Sequence, residues 1–426
     1  MTDATAGPSG PVTRGSMVRV GTATAISALC GYAVLYLAAR DLDPAGFSVF
    51  GVFWGAFGLA SGAAFGLLQE TTREVRAAPY APPGADRTRP IGVAAGVGIA
   101  AAAVLAVTSP WWASHVFVEQ RSLSVALLCC GLAGFCLHTT LLGLLAGIGR
   151  WSHYGALMVA DAALRVAVAA AGFVVGWGLG GYLWATVAGA MAWLAMLVVS
   201  PTARVAAALR TPGGTRTFLR GTGHSIAAAG ASAVLVMGFP VLLQATSDEL
   251  GAAGGVVILA VTLTRAPLLV PLTAMQGNLI AHFVDQRAHR LRALITPAAL
   301  VGTLGAAGVV LAGLFGPWLL REAFGAQYVA EGTLLAWLTG AAVAIALLTL
   351  TGAATVAAAL HRAYAAGWVI ATVASTLLLL LPLDLQVRTV VALLCGPLLG
   401  IVVHLAALVT VAYRPHHPPQ TTKETP

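Results

Sequence analysis

SLSVALLCCGLAGFCLHTTLLGLLAG, residues 122–147, contains no Asp, Glu, Lys or Arg. A helix rises about 1.5 Å per residue, so roughly 20 mainly apolar residues cross the hydrocarbon core of a bilayer. The stretch is therefore long enough to span a membrane. Arg121 precedes it and Arg150 follows it, so its charged neighbours lie just outside the apolar run.

The same criterion gives eleven further apolar segments along the chain. The predicted spans are residues 18–39, 47–69, 90–109, 122–147, 154–176, 179–200, 223–245, 254–283, 294–316, 332–358, 364–383 and 389–412. Charged residues make up 9% of the chain, whereas a soluble globular domain has about 25%. The sequence thus predicts an all-α integral membrane protein with about twelve transmembrane helices.

Basic residues test this count independently, because they accumulate in the cytoplasmic connections of membrane proteins. Of the 23 basic residues, seventeen fall in alternate connections that include both termini. Arg165 and Arg265 lie within spans, and the remaining four are Arg40, Arg121, Arg321 and Arg388. We therefore expect both termini in the cytoplasm. Because the arginines separate apolar runs, they indicate topology rather than nucleic-acid binding.

The longest basic connection divides the chain into two halves with six spans each. We expect a disordered cytoplasmic N-terminus over residues 1–16, an N-lobe over 17–200, a cytoplasmic linker over 201–222, a C-lobe over 223–412 and a cytoplasmic tail over 413–426. An even number of spans in each half makes the halves parallel repeats, related by an axis along the membrane normal.

The sequence lacks the residue patterns of several enzyme and metal-binding classes. The single lysine, Lys423, lies in the C-terminal tail, so the chain has no Gly-Lys-Ser/Thr phosphate loop for nucleotide hydrolysis. There is no H-E-x-x-H, and the five cysteines lie in apolar segments without metal-ligand spacing. Asp41 and Asp43 form a D-x-D in a very short turn, where helix capping is the expected role. We expect no enzyme activity, no cofactor and no metal.

Arg265 lies near the middle of the eighth span, where an ionised side chain is costly and marks either a pathway or a buried pair. Pro267 and Pro271 follow it, which predicts a kinked helix with freed carbonyls. Gln276 returns to within about 20° of the Arg265 face, and Thr262 and Thr273 lie beside it. We interpret this face as the wall of a hydrated cavity. The alternative is an arginine paired with an acid or carbonyl of a neighbouring helix.

Asp161 and Arg165 lie one turn apart in the fifth span, a spacing at which they can neutralise each other. This is either a structural pair or a cation-coupling site in which Arg165 adjusts the acidity of Asp161. His138 and His404 are lone histidines in apolar spans, for which core packing is expected.

A second polar group lies at the cytoplasmic ends of the spans. It forms either a cytoplasmic gate or phosphate-attracting vestibule, or an ordinary set of interfacial anchors. Its members are Arg19, Glu70, Arg73, His224, His282 and Asp285.

Three short motifs carry a family resemblance. Residues 38–47, AARDLDPAGF, resemble the first outer turn of polysaccharide-type flippases, with Ser48 where glycine is common. Residues 69–74, QETTRE, resemble the polar end of that family's second helix. Residues 264–268, TRAPL, with Gln276 resemble its eighth helix. The family belongs to the multidrug/oligosaccharidyl-lipid/polysaccharide exporter superfamily.

The resemblance implies two six-helix lobes around a central cavity whose faces open alternately. It implies that Arg265, Gln276, Glu70, Arg73 and Arg19 lie along this cavity. It further implies a lipid-linked saccharide as substrate, H⁺ or Na⁺ as a coupling cation, the bacterial cytoplasmic membrane as location, and envelope-glycan assembly proteins as partners. The alternatives are a cation-coupled multidrug or metabolite exporter and an inert scaffold in an assembly complex.

Overall fold

The computed structural model describes residues 14–80, 86–286 and 290–412. The first half contains α1 (Arg14–Asp41), α2 (Pro44–Ala77), α3 (Pro90–Val116), α4 (Arg121–Gly147), α5 (Trp151–Val175), α6 (Gly178–Ala188), α7 (Ala192–Val199) and α8 (Pro201–Ala207). The second half contains α9 (Thr215–Val236), α10 (Phe239–Ala245), α11 (Gly251–Ala274), α12 (Gln276–Asp285), α13 (Arg290–Phe324), α14 (Gly332–Ala357), α15 (His361–Leu379) and α16 (Leu385–Ala412). Most of the residues predicted to be disordered, and the C-terminal tail, lie outside the described residues.

Eleven helices among the described residues are long and apolar enough to cross a membrane, and the bent pair α9 and α10 makes a twelfth if it is one span. The fold prediction is therefore confirmed. The fourth span, predicted over 122–147, is Arg121–Gly147, and the third begins at Pro90 as predicted. Asp43 caps α2 by accepting a hydrogen bond from the Gly46 amide at 2.7 Å, with Pro44 at the first helical position.

The seventh span is not the continuous helix predicted over 223–245. Helix α9 starts at Thr215, eight residues earlier than predicted, and meets α10 at a bend of 66°. Gly238 precedes α10 and Pro240 lies in its first turn, where the proline lacks the amide proton that would continue α9. An apolar run conceals such a break, because the composition does not change across it.

The eighth span is likewise divided. Helix α11 ends at Ala274, and α12 starts at Gln276 after Met275. The interruption is a single residue, Met275, whose backbone stays helical at φ −93° and ψ −1°. The amides of Met275 and Leu279 still donate to the carbonyls of Pro271 and Met275, both at 3.0 Å. The common face of Arg265 and Gln276 therefore stays a prediction.

We describe the packing of the helices by the two lobes that the sequence predicts. In the N-lobe (α1–α8), α1 packs on α5, and both α2 and α3 pack on α4. In the C-lobe (α9–α16), α13 packs on α14, and α16 packs on both α14 and α15. We call the end of the bundle where α1 begins and α16 ends the inner end, and the opposite end the outer end.

Helix α2 joins the two lobes because it packs along α9 and α11 as well as on α4. Two glycines allow the close approach to α9. A Cβ at Gly62 would lie 2.6 Å from the Ala233 Cβ, and a Cβ at Gly66 would collide with the backbone of Ser225 and Ile226. Small residues bring helix backbones together in membranes, so this seam is a direct backbone contact between lobes.

A short β-ladder ties the linker to the N-lobe. Strand β1 (Arg87–Thr88) pairs antiparallel with β2 (Thr211–Pro212). The Gly213 amide donates to the Asp86 carbonyl at 2.6 Å, and the Thr88 hydroxyl donates to the Gly213 carbonyl at 2.8 Å. The linker predicted over 201–222 is therefore structured: it contains α8, β2 and the start of α9.

The outward surface of the bundle suits lipid. Leu304, Leu311 and Leu314 of α13 are exposed by 56%, 56% and 69%. Exposed tryptophans lie at the outer end, where amphipathic rings favour the membrane interface. They are Trp111, Trp177, Trp318 and Trp337.

Candidate functional site

Arg265 lies on α11 at the place where α9 breaks. Its side chain is buried, with 7% exposed. One terminal nitrogen, Nη1, donates to the carbonyls of Leu235 and Val236 at 3.4 and 3.2 Å. The guanidinium carbon lies 5.2 Å from the centroid of the Phe239 ring. The arginine thus bridges the end of α9 and the start of α10.

This position follows from the electrostatics of a helix end. The last carbonyls of a helix have no intrahelical partner and carry a partial negative charge. A guanidinium can satisfy them, and an aromatic face adds a cation–π attraction. For Nη1 the structure shows pairing with carbonyls of a neighbouring helix. The other terminal nitrogen, Nη2, is buried and has no hydrogen-bond partner among the described residues.

The rest of the predicted polar face is only partly visible. Thr262 donates to the Ile258 carbonyl of its own helix at 2.8 Å, so its hydroxyl is already satisfied. The side chains of Thr273 and Gln276 lie outside the described part of the chain. A shared cavity wall of these residues with Arg265 stays a prediction.

Asp161 and Arg165 form the intrahelical pair that their spacing predicts. Arg165 Nη2 and Asp161 Oδ1 are 2.9 Å apart, and the side chains are 14% and 19% exposed respectively. Arg165 also donates to the Thr186 carbonyl at 2.6 Å, and its guanidinium lies over the Phe57 ring. Gly189 of α6's C-terminal turn packs directly against Asp161.

This pair therefore connects three elements of the N-lobe, namely α5, the end of α6 and α2. The chain between α6 and α7 is a 3₁₀ turn, Gly189–Met191, that interrupts the sixth span beside the pair. Such turns within a helix often mark hinges. The geometry is compatible with both interpretations, a structural pair and a coupling site.

The two lone histidines are buried. His138 stacks on Phe135 with ring centroids 5.4 Å apart. His404 of α16 approaches the Thr351 hydroxyl of α14 at 3.0 Å and the Tyr364 carbonyl of α15 at 3.2 Å. Both thus occupy core positions, and His404 connects three helices of the C-lobe.

Glu70 lies at the inner contact between the lobes. Its side chain is buried, and Arg73 Nη2 lies 2.6 Å from its carboxylate. Gly221 of α9 packs against this carboxylate so closely that a Cβ would collide with it. Arg73 remains exposed and also binds Glu74 at 2.7 Å.

The other predicted gate residues do not join this contact. Arg19 donates to the Ser152 hydroxyl at 3.0 Å within the N-lobe. His224 pairs with the Arg220 carbonyl on its own helix, and both His282 and Asp285 are exposed on α12. Among the described residues no hydrogen bond or ion pair connects these four with Glu70.

Sequence reasoning missed the part that two outer arginines play. Arg388 donates to the carbonyls of Thr246 and Leu379 at 3.1 and 3.3 Å and to the Ser247 hydroxyl at 2.6 Å. Arg40 donates to the Glu322 carbonyl at 3.1 Å. Both arginines lie in the set of connections that holds few basic residues. Their presence there could have indicated a structural role from the sequence alone.

Comparison with known proteins gives relatives that match this chain over most of its length. "Uncharacterized protein Rv3630" of Mycobacterium tuberculosis (strain ATCC 25618 / H37Rv) is 70% identical over 401 residues, which cover 94% of this chain and 93% of the relative. "Uncharacterized protein Mb3654" of Mycobacterium bovis has the same identity and coverage. "Uncharacterized protein Rv1510" of M. tuberculosis is 67% identical over 411 residues, or 96% of this chain and 95% of the relative. No family model matches the sequence.

The solved structures with a similar fold are described as transporters. An inward-facing multidrug resistance MATE family transporter of the MOP superfamily has a TM-score of 0.66 at 16% identity, covering 93% of this chain and 98% of that one. An outward-facing structure of such a transporter gives 0.62 at 14% identity, covering 94% and 96%. A MOP superfamily transporter from Pyrococcus furiosus, described as having a binding pocket of reverse polarity, gives 0.63 at 15% identity, covering 94% and 96%. This chain therefore belongs to the same family as the mycobacterial relatives and has the fold of the MATE transporters of the MOP superfamily.

Proposed function

We propose that the chain is an alternating-access transporter that moves a lipid-linked saccharide, or a related cell-envelope glycan precursor, across the bacterial cytoplasmic membrane. The observation that carries this proposal is Arg265, whose buried guanidinium lies at the break between α9 and α10 and keeps Nη2 without a partner among the described residues. A polyprenyl-linked saccharide presents phosphate oxygens, which form strong, charge-assisted hydrogen bonds with a guanidinium.

The packing of the lobes supports a lateral path for the lipid tail. Helix α2 is held tightly against α9 at Gly62 and Gly66. By contrast, the inner half of α1 bonds to α5 of its own lobe, through Arg19 to Ser152 and Ser27 to the Met158 carbonyl. Helix α1 can therefore separate from the C-lobe without breaking these bonds, and the saccharide enters on that side while its tail stays in the bilayer.

In this proposal both termini face the cytoplasm, and the Asp161–Arg165 pair binds the coupling cation, H⁺ or Na⁺. Glu70 and Arg73 form the inner gate, with Arg19, His224, His282 and Asp285 as the polar rim that attracts the headgroup. Envelope-glycan assembly proteins would supply and receive the saccharide. Thr262, Thr273 and Gln276 complete the cavity face next to Arg265.

The second candidate is a cation-coupled exporter of drugs or metabolites with the same fold. The partly exposed Asp161 carboxylate favours it, since 19% of this side chain is accessible at a hinge-like turn. The similarity in fold to a multidrug resistance MATE family transporter is compatible with the same candidate.

The experiment compares substitutions in a host that lacks the chain and its relatives. Arg265→Gln removes the charge, Arg265→Lys keeps it, and Arg121→Gln is the matched control at an exposed outer position. We expect Arg265→Gln to reduce surface glycan at least ten-fold at normal membrane levels of the protein, with partial rescue by Arg265→Lys. Full export by Arg265→Gln would overturn the assignment. If Asp161→Asn abolished drug resistance while glycan export continued, the second candidate would replace it.

A further inference from the structure

The outer ends of the two lobes meet at Tyr328, in the connection between α13 and α14. Its side chain is fully buried. The hydroxyl donates to the Leu42 carbonyl at 3.3 Å, in the turn between α1 and α2. Its ring stands edge-on to Phe47 of α2, with centroids 5.9 Å apart and planes at 87°, a favourable aromatic geometry. A C-lobe side chain is thus inserted beneath an N-lobe turn.

In a second contact beside the first, the N-lobe supplies the hydrogen-bond donor and the C-lobe the acceptor. Arg40, the last residue but one of α1, reaches the Glu322 carbonyl in the last turn of α13. Carbonyls there lack helical partners and attract cations. Tyr36 lies between Arg40 and the C-lobe, since its ring is 5.7 Å from the Arg40 guanidinium carbon and edge-on to Phe324 at 6.1 Å.

A third contact fixes the same turn against α11. Gly255 packs on the Pro44 carbonyl, and a side chain of any size there would collide with it. The turn cannot adapt easily, because Asp43 is bonded to the Gly46 amide and Pro44 restricts the backbone. The turn between α1 and α2, which forms the N-lobe side of this junction, is therefore rigid.

We propose that these contacts form an outer latch between the two lobes. The N-lobe contributes Tyr36, Arg40, Leu42, Pro44 and Phe47. The C-lobe contributes Gly255, Glu322, Phe324 and Tyr328. The latch holds the outer ends of the lobes together in this conformation and must come apart whenever the outer face opens. The contacts of Arg40 with Glu322, of Tyr36 with Phe324, of Tyr328 with Leu42 and Phe47, and of Gly255 with Pro44 cross from one lobe to the other, so a rigid-body separation breaks these contacts. The inference rests on the proposed alternating access but not on the saccharide.

The latch does not depend on pH through its tyrosine. Burial, together with the nearby Asp43 carboxylate, raises the pKa of Tyr328 above its usual range. The phenol therefore keeps its proton and remains a donor to Leu42. Deprotonation of this group therefore does not open the latch.

The test measures the distance between the outer ends by pulsed electron resonance of two spin labels. Glu119→Cys in the N-lobe and Glu249→Cys in the C-lobe are exposed and lie outside the latch. The five native cysteines are replaced by Ser or Ala in the full-length chain. A second labelled pair, Tyr80→Cys and Arg362→Cys, reports the inner ends.

Tyr328→Phe removes only the hydroxyl and keeps the ring, so it tests the hydrogen bond without a cavity. We expect the population with long outer distances to rise roughly three- to ten-fold, as loss of one hydrogen bond predicts. Arg40→Gln should have a similar effect, and Tyr328→Ala a larger one. Arg121→Gln, an exposed arginine at the same end, should change nothing.

Unchanged outer distances in folded Tyr328→Ala and Arg40→Gln would overturn the latch. If the latch variants shift the distances while Arg265→Gln exports glycan normally, the latch stands and the saccharide is wrong. If Arg265→Gln abolishes export while both latch variants leave the distances unchanged, the saccharide stands and the latch is wrong.

Discussion

The Glu70 carboxylate of α2 lies directly against the backbone of Gly221 in α9. The two lobes meet closely at the inner end because Gly221 has no side chain. Arg73 neutralises the carboxylate from its exposed side. Thr71 and Thr222 next to this contact have buried hydroxyls without partners among the described residues. The contact is therefore closed, but two of its buried hydroxyls are unsatisfied among the described residues.

Gly221→Ala should force this junction apart. The added methyl collides with the Glu70 carboxylate, and overpacking of this kind costs about 1–3 kcal/mol. We expect a lower melting temperature in detergent and a longer distance between the inner ends. Gly223→Ala is the matched control two residues along α9, because nothing lies within 4 Å of a Cβ there. Equal behaviour of the two variants would contradict the contact.

Phe239→Leu should destabilise the bend between α9 and α10. Leucine keeps much of the apolar volume but removes the ring beneath the Arg265 guanidinium, an interaction worth roughly 0.5–2 kcal/mol. The melting temperature is the measurement. Phe315→Leu, at a position that is 57% exposed on the surface of the bundle, is the control. An effect of the same size at Phe315 would show that ring volume, and not the cation–π contact, was measured.

Thr88→Val should loosen the linker between the lobes. Valine has the same shape but cannot donate to the Gly213 carbonyl, so β1 and β2 lose a side-chain hydrogen bond of about 1 kcal/mol. Trypsin should then cleave at Arg210 and Arg216 roughly five-fold faster, since local opening governs cleavage. Thr217→Val, exposed on α9, should not change the rate. Protection equal to that of the unmodified chain would contradict the anchoring role of the ladder.

The existence of the spans could be predicted from sequence because the bilayer sets a minimum length for them, but not every helix length could. Helices α2 and α13 have 34 and 35 residues, longer than the predicted spans 47–69 and 294–316, because both continue beyond the apolar run. The run 122–147 and its flanking arginines give a span that is accurate to one residue, Arg121–Gly147. The break at Gly238 could not be predicted in the same way. It lies inside a run whose hydrophobicity is continuous, so only the local backbone geometry reveals it.

The partners of the buried arginines depend on tertiary contacts. Asp161 could be assigned to Arg165 because one helical turn separates them. Arg265 instead binds carbonyls 29 and 30 residues earlier in the chain, and Arg40 binds one 282 residues later. Backbone carbonyls have no sequence signature, so no pattern of residue types could have identified these acceptors.

The β-ladder between Thr88 and Thr211 fixes the long connection between the lobes to the N-lobe, close to the start of α9. Because the Gly213 amide is bonded to the Asp86 carbonyl, a rotation of the C-lobe relative to the N-lobe would pivot near the first residue of α9. Helix α9 has 22 residues, a lever arm of about 33 Å at 1.5 Å per residue. A tilt of about 10° would move its inner contact at Gly221 by less than about 2 Å and its far end by about 6 Å. The same small rotation would therefore barely disturb Glu70 while pulling Tyr328 out from under Leu42.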